Sequence, residues 1–245
     1  MRLEPGATLV GLDLSAADFA DVDLSGATLT DCTIRDAQVS GACFEDARLR
    51  GCRFVRCRFA HVDLRDCLFE ACTFADDGGG HTGVQFAFSR LEQTRFVRCD
   101  LSFARFERSD LYGIEIETSN LRGAAFAKVD FARLFGRKVV KWAGSIKGCN
   151  LELADLTALR FPGGTLSQCN LREAVLIDAD LEGADLRGCD LVQALTAGAK
   201  LARADLRGAD LAGLDLRELA GFAGVMVSAD QQHALLAAMG VDVCA

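Results

Sequence analysis

The stretch ADLEGADLRGCDL (179–191) repeats one pattern every five residues: a small residue, an aspartate, a leucine and two variable positions. A helix has a period of 3.6 residues and a strand a period of two, so neither produces this rhythm. A unit that recurs at a fixed period is typical of a solenoid, in which each unit buries its apolar side chain only by stacking on its neighbours. The stretch therefore predicts a solenoid.

The five-residue frame extends along nearly the whole chain, with two interruptions. The first is the stretch 75–85, which adds two residues beyond a multiple of five. The second is 132–145, where Gly136 and then Lys141 occupy the large apolar position before the frame resumes. Because the interior of a solenoid has no room for extra chain, we expect both interruptions to form outward loops.

If five residues make one side of a coil, four sides make a square coil of 20, and residues 20 apart should stack. Aspartate or asparagine beside each corner can accept a hydrogen bond from its own backbone. We therefore predict an all-β solenoid over 1–227, whose adjacent coils are bonded edge to edge. Counted in steps of 20, one column contains Leu151, Leu171, Leu191 and Leu211, a second contains Phe86, Phe106 and Phe126, and a polar column contains Asp110, Asp130, Asn150, Asn170, Asp190 and Asp210.

The cysteines of this frame predict packing rather than chemistry. Nine of the 11 occupy the small position, where other repeats have alanine, and a free buried cysteine acts as a small apolar residue. There is no CxxC pair and there are only three histidines, so we expect no metal. Gly78, Gly80 and Gly83 fit a dinucleotide-binding pattern, but that pattern needs a strand before it and a helix after it, so we expect no cofactor. The nine are Cys32, Cys52, Cys57, Cys67, Cys72, Cys99, Cys149, Cys169 and Cys189.

The composition is acidic, with 35 Asp and Glu against 27 Lys and Arg and a net charge of -8. This charge argues against direct binding to DNA or to an anionic membrane. No apolar segment of 18 residues is present, and the first residues include acidic side chains where a signal peptide needs an apolar run. We expect a cytoplasmic protein. No nucleophile and base share a recognisable spacing, and outward side chains of a solenoid lie on a convex surface, so we do not expect an enzyme.

The frame resembles the A(D/N)LXX repeat of pentapeptide-repeat proteins, whose fold is a right-handed quadrilateral β-helix. Within it, LYGIEIETSNLRGAAF (111–126) resembles the Gly-Ile-Glu-Ile segment of the Qnr-type members, which protect DNA gyrase and topoisomerase IV from quinolones. The two interruptions, the smaller before this segment and the larger after it, resemble the two loops of those proteins. The resemblance implies a homodimer that protects a topoisomerase from a poison such as a fluoroquinolone or a natural-product toxin.

Charge is distributed unevenly around the second interruption. Residues 132–147 contain five basic and no acidic side chains, whereas residues 148–245 contain 14 acidic and 7 basic ones. Arginine suits binding to carboxylates or phosphates, and an acidic rod about as wide as a duplex could occupy a groove built for DNA. Alternatively, the loop is merely solvated and the aspartates serve only corner hydrogen bonds and solubility. Under the resemblance, we expect partner contacts from Asp76, Asp77 and His81 in the first loop, from Arg133, Phe135, Arg137, Lys138, Lys141 and Trp142 in the second, and from an acidic face of Asp110, Asp130, Asp185, Asp190, Asp205 and Asp210.

The stretch 228–245 departs from the frame, and its first part predicts a helix. Ser228 is a suitable N-cap, Gln231 completes a capping box, and Gly240 is a suitable stop. The helix either only caps the open end of the solenoid or, as the resemblance implies, also pairs two rods end to end. For the dimer we expect an interface of Leu235, Leu236, Met239 and Val241.

A function from a different class is compatible with the same sequence. A pentapeptide rod can be a plain interaction scaffold whose partner is unrelated to topoisomerases, because the repeat specifies a fold and not a partner. A gyrase supercoiling assay with a panel of poisons separates the two functions.

Overall fold

In the computed structural model, which describes residues 2–76, 81–136 and 139–241, the chain forms a four-sided parallel β-solenoid followed by one short α-helix. Residues 20 positions apart lie side by side on successive coils, as Leu9 does with Leu29. The predicted fold class is confirmed. Within these ranges, no helix has the length and apolar character needed to cross a membrane.

The strands are only three or four residues long because the chain turns at every corner of the coil. Residues at the corners have positive φ, for example Asp36 at 54° and Gly41 at 66°. Glycine adopts this conformation at little cost, and aspartate tolerates it better than most residues do. In chain order the strands are β1 (Thr8–Val10), β2 (Thr28–Thr30), β3 (Thr33–Arg35), β4 (Gln38–Ser40), β5 (Arg48–Arg50), β6 (Arg53–Val55), β7 (Arg58–Ala60), β8 (Leu68–Glu70), β9 (Gln85–Ala87), β10 (Arg95–Val97), β11 (Arg105–Glu107), β12 (Ile114–Glu117), β13 (Ala125–Ala127), β14 (Ala132–Phe135), β15 (Val139–Trp142) and β16 (Gly144–Lys147).

The four sides of the coil all run in parallel register. The first side is a seven-stranded sheet in the order β1-β2-β5-β8-β10-β12-β16, and the third side is a five-stranded sheet of β4, β7, β9, β11 and β13. The second side contains β3 and β6 and continues as single bridges. The fourth side, in the part of the chain that the structure describes, consists of single bridges.

The interior is filled by the large apolar residues of the frame. The Phe106 ring stacks between those of Phe86 and Phe126, with ring centroids 5.1 and 4.9 Å apart, and Leu171 is fully buried. Burying a side chain of this size contributes about 1.5–3 kcal/mol, and here the burial exists only between neighbouring coils. The stability of each coil therefore depends on its neighbours.

The nine cysteines predicted to pack at the small position are all buried and free, which confirms their packing role. Their thiols donate to backbone carbonyl groups: Cys72 Sγ lies 3.3 Å from Leu49 O and Cys99 Sγ lies 3.4 Å from Phe69 O. Burial raises the pKa of the Cys57 thiol, which keeps it protonated. Bridge register stacks seven of the nine at the corner before the second side, namely Cys32, Cys52, Cys72, Cys99, Cys149, Cys169 and Cys189.

Aspartates beside the corners accept hydrogen bonds from their own backbone, as predicted. Asp110 Oδ1 accepts from the Tyr112 N–H at 3.0 Å, and Asp190 Oδ1 accepts from the Val192 N–H at 3.0 Å. Such a bond satisfies a backbone donor at the turn. The recurring aspartates thus have a structural reason that does not depend on any partner.

The two interruptions insert different lengths of chain. Across the first, Phe59 pairs with Phe86, 27 residues further on, which is seven more than one coil. Across the second, Ile116 pairs with Ile146, 30 residues further on, which is ten more than one coil. Ten residues equal two sides, so the five-residue frame resumes in phase although the sides have shifted by half a turn.

This half-turn shift contradicts the predicted polar column and the predicted single acidic face. Asp110 pairs with Asp130 on the fourth side, whereas Asp190 pairs with Asp210 on the second. The column of Asp190 instead continues back through asparagines to Asp100. The remaining two residues of the predicted face, Asp185 and Asp205, pair with each other on the first side.

The C-terminal segment contains the predicted helix. After a 3-10 turn at Leu216–Glu218, the chain forms a second such turn at Ala229–Gln231 and the α-helix α1 at Gln232–Ala238. The predicted capping box with Ser228 is present, and Gly240 follows with a φ of 75°, as a helix stop requires.

The side chain of Gln231 ties this helix to the last coil. It is buried, and its Nε2 donates to Leu206 O and to Ala209 O, both at 2.7 Å. Its Oε1 accepts from the Ser228 N–H at 2.6 Å. The Leu206 carbonyl also accepts from the Ala209 N–H, whereas the Ala209 carbonyl occupies the position that the next coil satisfies elsewhere in the rod, as Asp210 N–H does for Cys189 O. Gln231 therefore closes the end of the solenoid.

Candidate interaction site

The second interruption folds as a β-hairpin at the corner between the fourth and first sides. Strands β14 and β15 run antiparallel, with Ala132 opposite Trp142. Strand β16 begins at Gly144, so the outward part of the chain is shorter than the predicted 132–145. Two predicted contact residues, Arg137 and Lys138, lie outside the described residues.

The base of the hairpin rests on the Gly-Ile-Glu-Ile segment (113–116), of which Gly113 immediately precedes strand β12 and the other three residues lie in it. The Gly113 N–H donates to Ala143 O at 2.8 Å, and Ile114 pairs with Gly144. Gly113 has a φ of 73°, a conformation that favours glycine. The segment that carries the sequence resemblance is thus the strand on which the hairpin is built.

One side of the hairpin base is held by ionic and aromatic contacts. Arg133 forms a salt bridge with Glu92, and its guanidinium lies 4.7 Å from the centre of the Tyr112 ring. Tyr112 also faces the Phe135 ring at 6.3 Å. The Arg133 charge is thus already paired within the chain, although its side chain remains partly exposed, and a contact from Arg133 to a partner stays a prediction.

The other side of the base is held by Trp142. This residue is half-buried, packs against the core, and lies under the Arg160 guanidinium at 5.2 Å from the ring centre. Trp142 is one of the residues from which we expect partner contacts, which would require an exposed side chain. Trp142 instead helps to attach the hairpin to the rod, because its indole covers apolar surface that the inserted chain leaves open.

The carboxyl groups beneath Arg133 share one proton-sensitive environment. Burial and the neighbouring Glu92 carboxylate raise the pKa of Asp110 to about 6. Burial also acts to raise the pKa of Glu92, but the hydrogen bonds from Arg133 and Asp110 outweigh it and lower that pKa. Asp110 is therefore the member of this pair that takes up a proton first.

The tip of the hairpin is apolar and exposed. The exposed fractions of Leu134, Val139, Val140 and Phe135 are 64%, 52%, 52% and 43%, and the Lys141 ammonium lies 5.0 Å from the Phe135 ring centre. Large apolar side chains clustered at the surface mark an interaction site. Phe135 lies at this tip, whereas Lys141 lies opposite Arg133 at the base and reaches toward the Phe135 ring, and partner contacts from both stay predictions. Sequence reasoning missed the other three, although the run VVKW after ARLF indicated two short strands.

The first interruption leaves the rod at the diagonally opposite corner, between the second and third sides. Ala75 and Gly83 form an antiparallel bridge across its base. Arg56 lies 3.4 Å from the Asp76 carboxylate, and the His81 ring lies 4.9 Å from the Phe103 ring. The third predicted residue, Asp77, lies outside the described residues, as do Gly78 and Gly80 of the glycine pattern.

Several predicted acidic residues are paired with arginine. Asp185 lies 2.7 Å from Arg187, Asp205 lies 2.6 Å from Arg207, and Asp190 lies 3.0 Å from Arg172. Hydrogen bonds from these neighbours lower the pKa of Asp185 and Asp205, so both stay ionised. The sides of the rod that carry these aspartates thus present alternating charges more than a continuous acidic surface.

One group of metal-ligating side chain types occurs among the described residues. It comprises Cys43, Glu45 and Asp63 on the fourth side. Arg65 lies 3.0 Å from Glu45 and 2.7 Å from Asp63, which compensates both carboxylates. The donor set is therefore that of an ion-pair network.

The C-terminal helix presents part of the predicted dimer surface. Leu236, Met239 and Val241 are exposed to 37%, 46% and 46%. Leu235, predicted to belong to the same surface, instead packs partly buried against the core. The helix has therefore one side that caps the rod and one apolar side that is open.

The repeats of the rod match a known protein family. The family model for pentapeptide repeats matches eight copies, within 6–36, 34–70, 82–115, 154–193 and 184–218, which is more than half of the chain. The chain belongs to the pentapeptide-repeat family. No curated protein sequence matches this pentapeptide-repeat protein.

Solved structures extend the comparison to the whole length. Full-length QnrB1, described as a plasmid-mediated fluoroquinolone resistance protein, is similar with a TM-score of 0.75 and 23% identity, over 97% of this chain and 99% of QnrB1. A trypsin-treated variant of QnrB1 has a TM-score of 0.71 and 23% identity, over 98% of this chain and all (100%) of that one. At this identity the comparison shows that the pentapeptide-repeat rod shares the fold of QnrB1 from end to end.

Proposed function

We propose that this pentapeptide-repeat protein binds a type II DNA topoisomerase, DNA gyrase or topoisomerase IV, and protects it from poisons such as fluoroquinolones or a natural-product toxin. The observation that carries the proposal is the similarity to QnrB1, a fluoroquinolone resistance protein, over nearly the full length of both chains. The position of the Gly-Ile-Glu-Ile segment under the hairpin supports it further. The protein acts in the cytoplasm by binding alone and catalyses no reaction.

The distribution of charge favours the hairpin as the principal contact with the topoisomerase, over the aspartate-bearing sides of the rod. The acidic excess of residues 148–245 remains, but three of its aspartates are paired with arginine on two different sides. A protein groove that binds DNA needs a ligand with regularly spaced negative charge, and carboxylates that are paired with arginine supply this charge weakly. The apolar tip with Lys141 suits a partly apolar, acidic protein surface instead. In the proposed mechanism the rod lies on the topoisomerase and the hairpin displaces or destabilises the bound poison.

The test is a supercoiling assay with purified gyrase, a fixed inhibitory concentration of poison and increasing amounts of the protein. We expect supercoiling to recover as the protein is added, with no effect of the protein on relaxed DNA alone. A matched reaction with an ATP-competitive gyrase inhibitor, which does not act at the cleavage centre, should show no recovery.

The competing function is a scaffold for an unrelated partner, which the pairing of the aspartates favours because paired charges need no mimicry to explain them. Failure to recover supercoiling with any poison, for gyrase and for topoisomerase IV, would leave this function as the better one.

A further inference from the structure

The residues that hold the hairpin lie on the rod and not on the hairpin itself. Glu92 and Tyr112 occupy equivalent corners of successive coils, one above the other, and both contact Arg133. Arg160 lies on the other side of the hairpin, above Trp142. Strands β14 and β15 alternate, so Arg133 and Trp142 lie on opposite faces of the hairpin.

We propose that Glu92, Tyr112 and Arg160 are positioning residues, which brace the hairpin from both faces and fix the direction of its apolar tip. A two-stranded hairpin without such support is marginally stable in water. Packing against the core does not hold the tip in place, because Leu134 and Val140 are more than half exposed. The braced base therefore supplies the rigidity with which Leu134, Val139 and Val140 meet a partner, and prior ordering lowers the entropic cost of binding.

If the protein has the proposed function, the brace fixes how the hairpin tip meets the topoisomerase, and this part of the inference rests on that function. The partner has to accept an apolar tip in one fixed orientation beside the fourth and first sides. The brace itself is a property of the free protein. Its test can therefore be separated from the test of topoisomerase protection.

The chain provides its own reporter, because Trp142 is the only tryptophan. Its emission wavelength and its quenching by acrylamide report whether the hairpin base is packed, and hydrogen exchange of 132–142 reports whether the strands are open. For Glu92→Gln we expect exchange of the hairpin amides to rise about five- to tenfold, from the combined loss of an ion pair and of a held cation–π contact. The melting temperature of the rod should not change.

Two further variants make the result specific. Glu152→Gln breaks a similar surface pair, with Arg122 at 3.6 Å, away from the hairpin, and should leave exchange of 132–142 unchanged. The exchanged pair Glu92→Arg with Arg133→Glu remakes the ion pair but not the contact of the residue 133 cation with the Tyr112 ring, so it should restore slow exchange in part. Arg160→Gln should redden the emission of Trp142 and increase its quenching without altering the far-UV spectrum.

The outcomes separate the two proposals. Unchanged exchange in Glu92→Gln together with unchanged Trp142 emission in Arg160→Gln would overturn the brace, whatever the protein does to gyrase. Faster exchange in Glu92→Gln that the exchanged pair slows again, at least in part, supports the brace even if the parent protein gives no protection, which would count only against the proposed function. If the parent protects, loss of protection in Glu92→Gln supports the positioning role, and full protection by an opened hairpin would overturn it.

Discussion

At the scale of single residues, the fold is defined by what each of five positions does in every repeat. The large apolar position fills the interior, the small position leaves room for it, and the aspartate satisfies a corner amide, as Asp190 does for Val192. A substitution at one repeat is felt by the coils above and below, because the buried surface is shared between them.

Leu171→Asp tests this shared burial. The leucine is fully buried in the column that the structure assigns to the second side, so the variant places an unpaired carboxylate in a dry interior. We expect a loss of about 4 kcal/mol or more in the free energy of unfolding, measured by urea denaturation. Glu173→Gln, at an exposed position two residues away, is the control and should stay within about 0.5 kcal/mol of the parent.

Asp110 makes the stability of the fold sensitive to pH. Its raised pKa of about 6 means that its proton stabilises the folded state most fully below the ordinary value of 3.8, and that this contribution is lost as pH rises through about 6. Glu92, with a lowered pKa, contributes in the opposite sense, above its ordinary value of 4.5. The groups facing the pair are Arg90, Tyr112, Asp130 and Arg133.

We therefore expect the free energy of unfolding of the parent, measured by urea denaturation, to fall between about pH 5 and about pH 7 as the Asp110 proton is lost. Asp110→Asn cannot lose a proton in this range, so its free energy of unfolding should fall less over the same interval. An equal fall in the variant would assign the effect to another group.

At the scale of elements, the inserted hairpin and the C-terminal helix each have a part that belongs to the rod and a part that does not. Ala143 and Gly144 are hydrogen bonded into the rod, and Trp142 packs on its core. Gln231 and Leu235 likewise belong to the end of the solenoid. A deletion that removes the residues packed into the rod together with the exposed ones therefore damages both the fold and the interaction surface.

Replacing 134–140 with a short Gly-Ser linker keeps the braced base and removes the apolar tip. We expect the melting temperature to stay within about 3 °C of the parent, because the four apolar side chains that are removed, Leu134, Phe135, Val139 and Val140, are exposed. Relief of poison-inhibited supercoiling should be lost. If the variant still relieves the inhibition fully, the protective contact lies on the aspartate-bearing sides of the rod or in the first loop.

At the scale of the whole molecule, the protein is a rod whose C-terminal end combines a cap with an exposed apolar surface. The C-terminal end is closed by Gln231, while Leu236, Met239 and Val241 remain open to solvent. A second copy of the chain, placed end to end, would cover this apolar surface. The open face of the helix is compatible with the homodimer that the Qnr-type resemblance implies, and the dimer remains a prediction.

The dimer can be tested without opening the end of the rod. Leu236→Glu combined with Met239→Glu places charges on the open side of the helix and leaves Gln231 in place. Light scattering should give twice the chain mass for the parent and the chain mass for the variant, with similar melting temperatures at low concentration. Deletion of 228–245 should in contrast lower the melting temperature by several degrees, because it also removes the cap. A monomeric parent at micromolar concentration contradicts the dimer.

The sequence alone determined which side chains point inward, where the chain leaves the rod and where the helix is capped. Each of these features depends on residues within a few positions of one another, as for Ser228 and Gln231. The period of five is visible within any short segment of the frame, and it recurs in successive repeats along the chain. The core cysteines and the corner aspartates could therefore be assigned before the structure was known.

Only the tertiary structure decided which repeats share a side and which charges are already paired. An inserted segment of ten residues preserves the five-residue frame but moves every later residue by two sides, which separates Asp130 from Asp190. Arg133 meets Glu92, 41 positions earlier, only because the hairpin folds back along the rod. Neither relation leaves a local pattern, because the spacing across an insertion depends on how much chain projects outward and not on the residues that resume the coil.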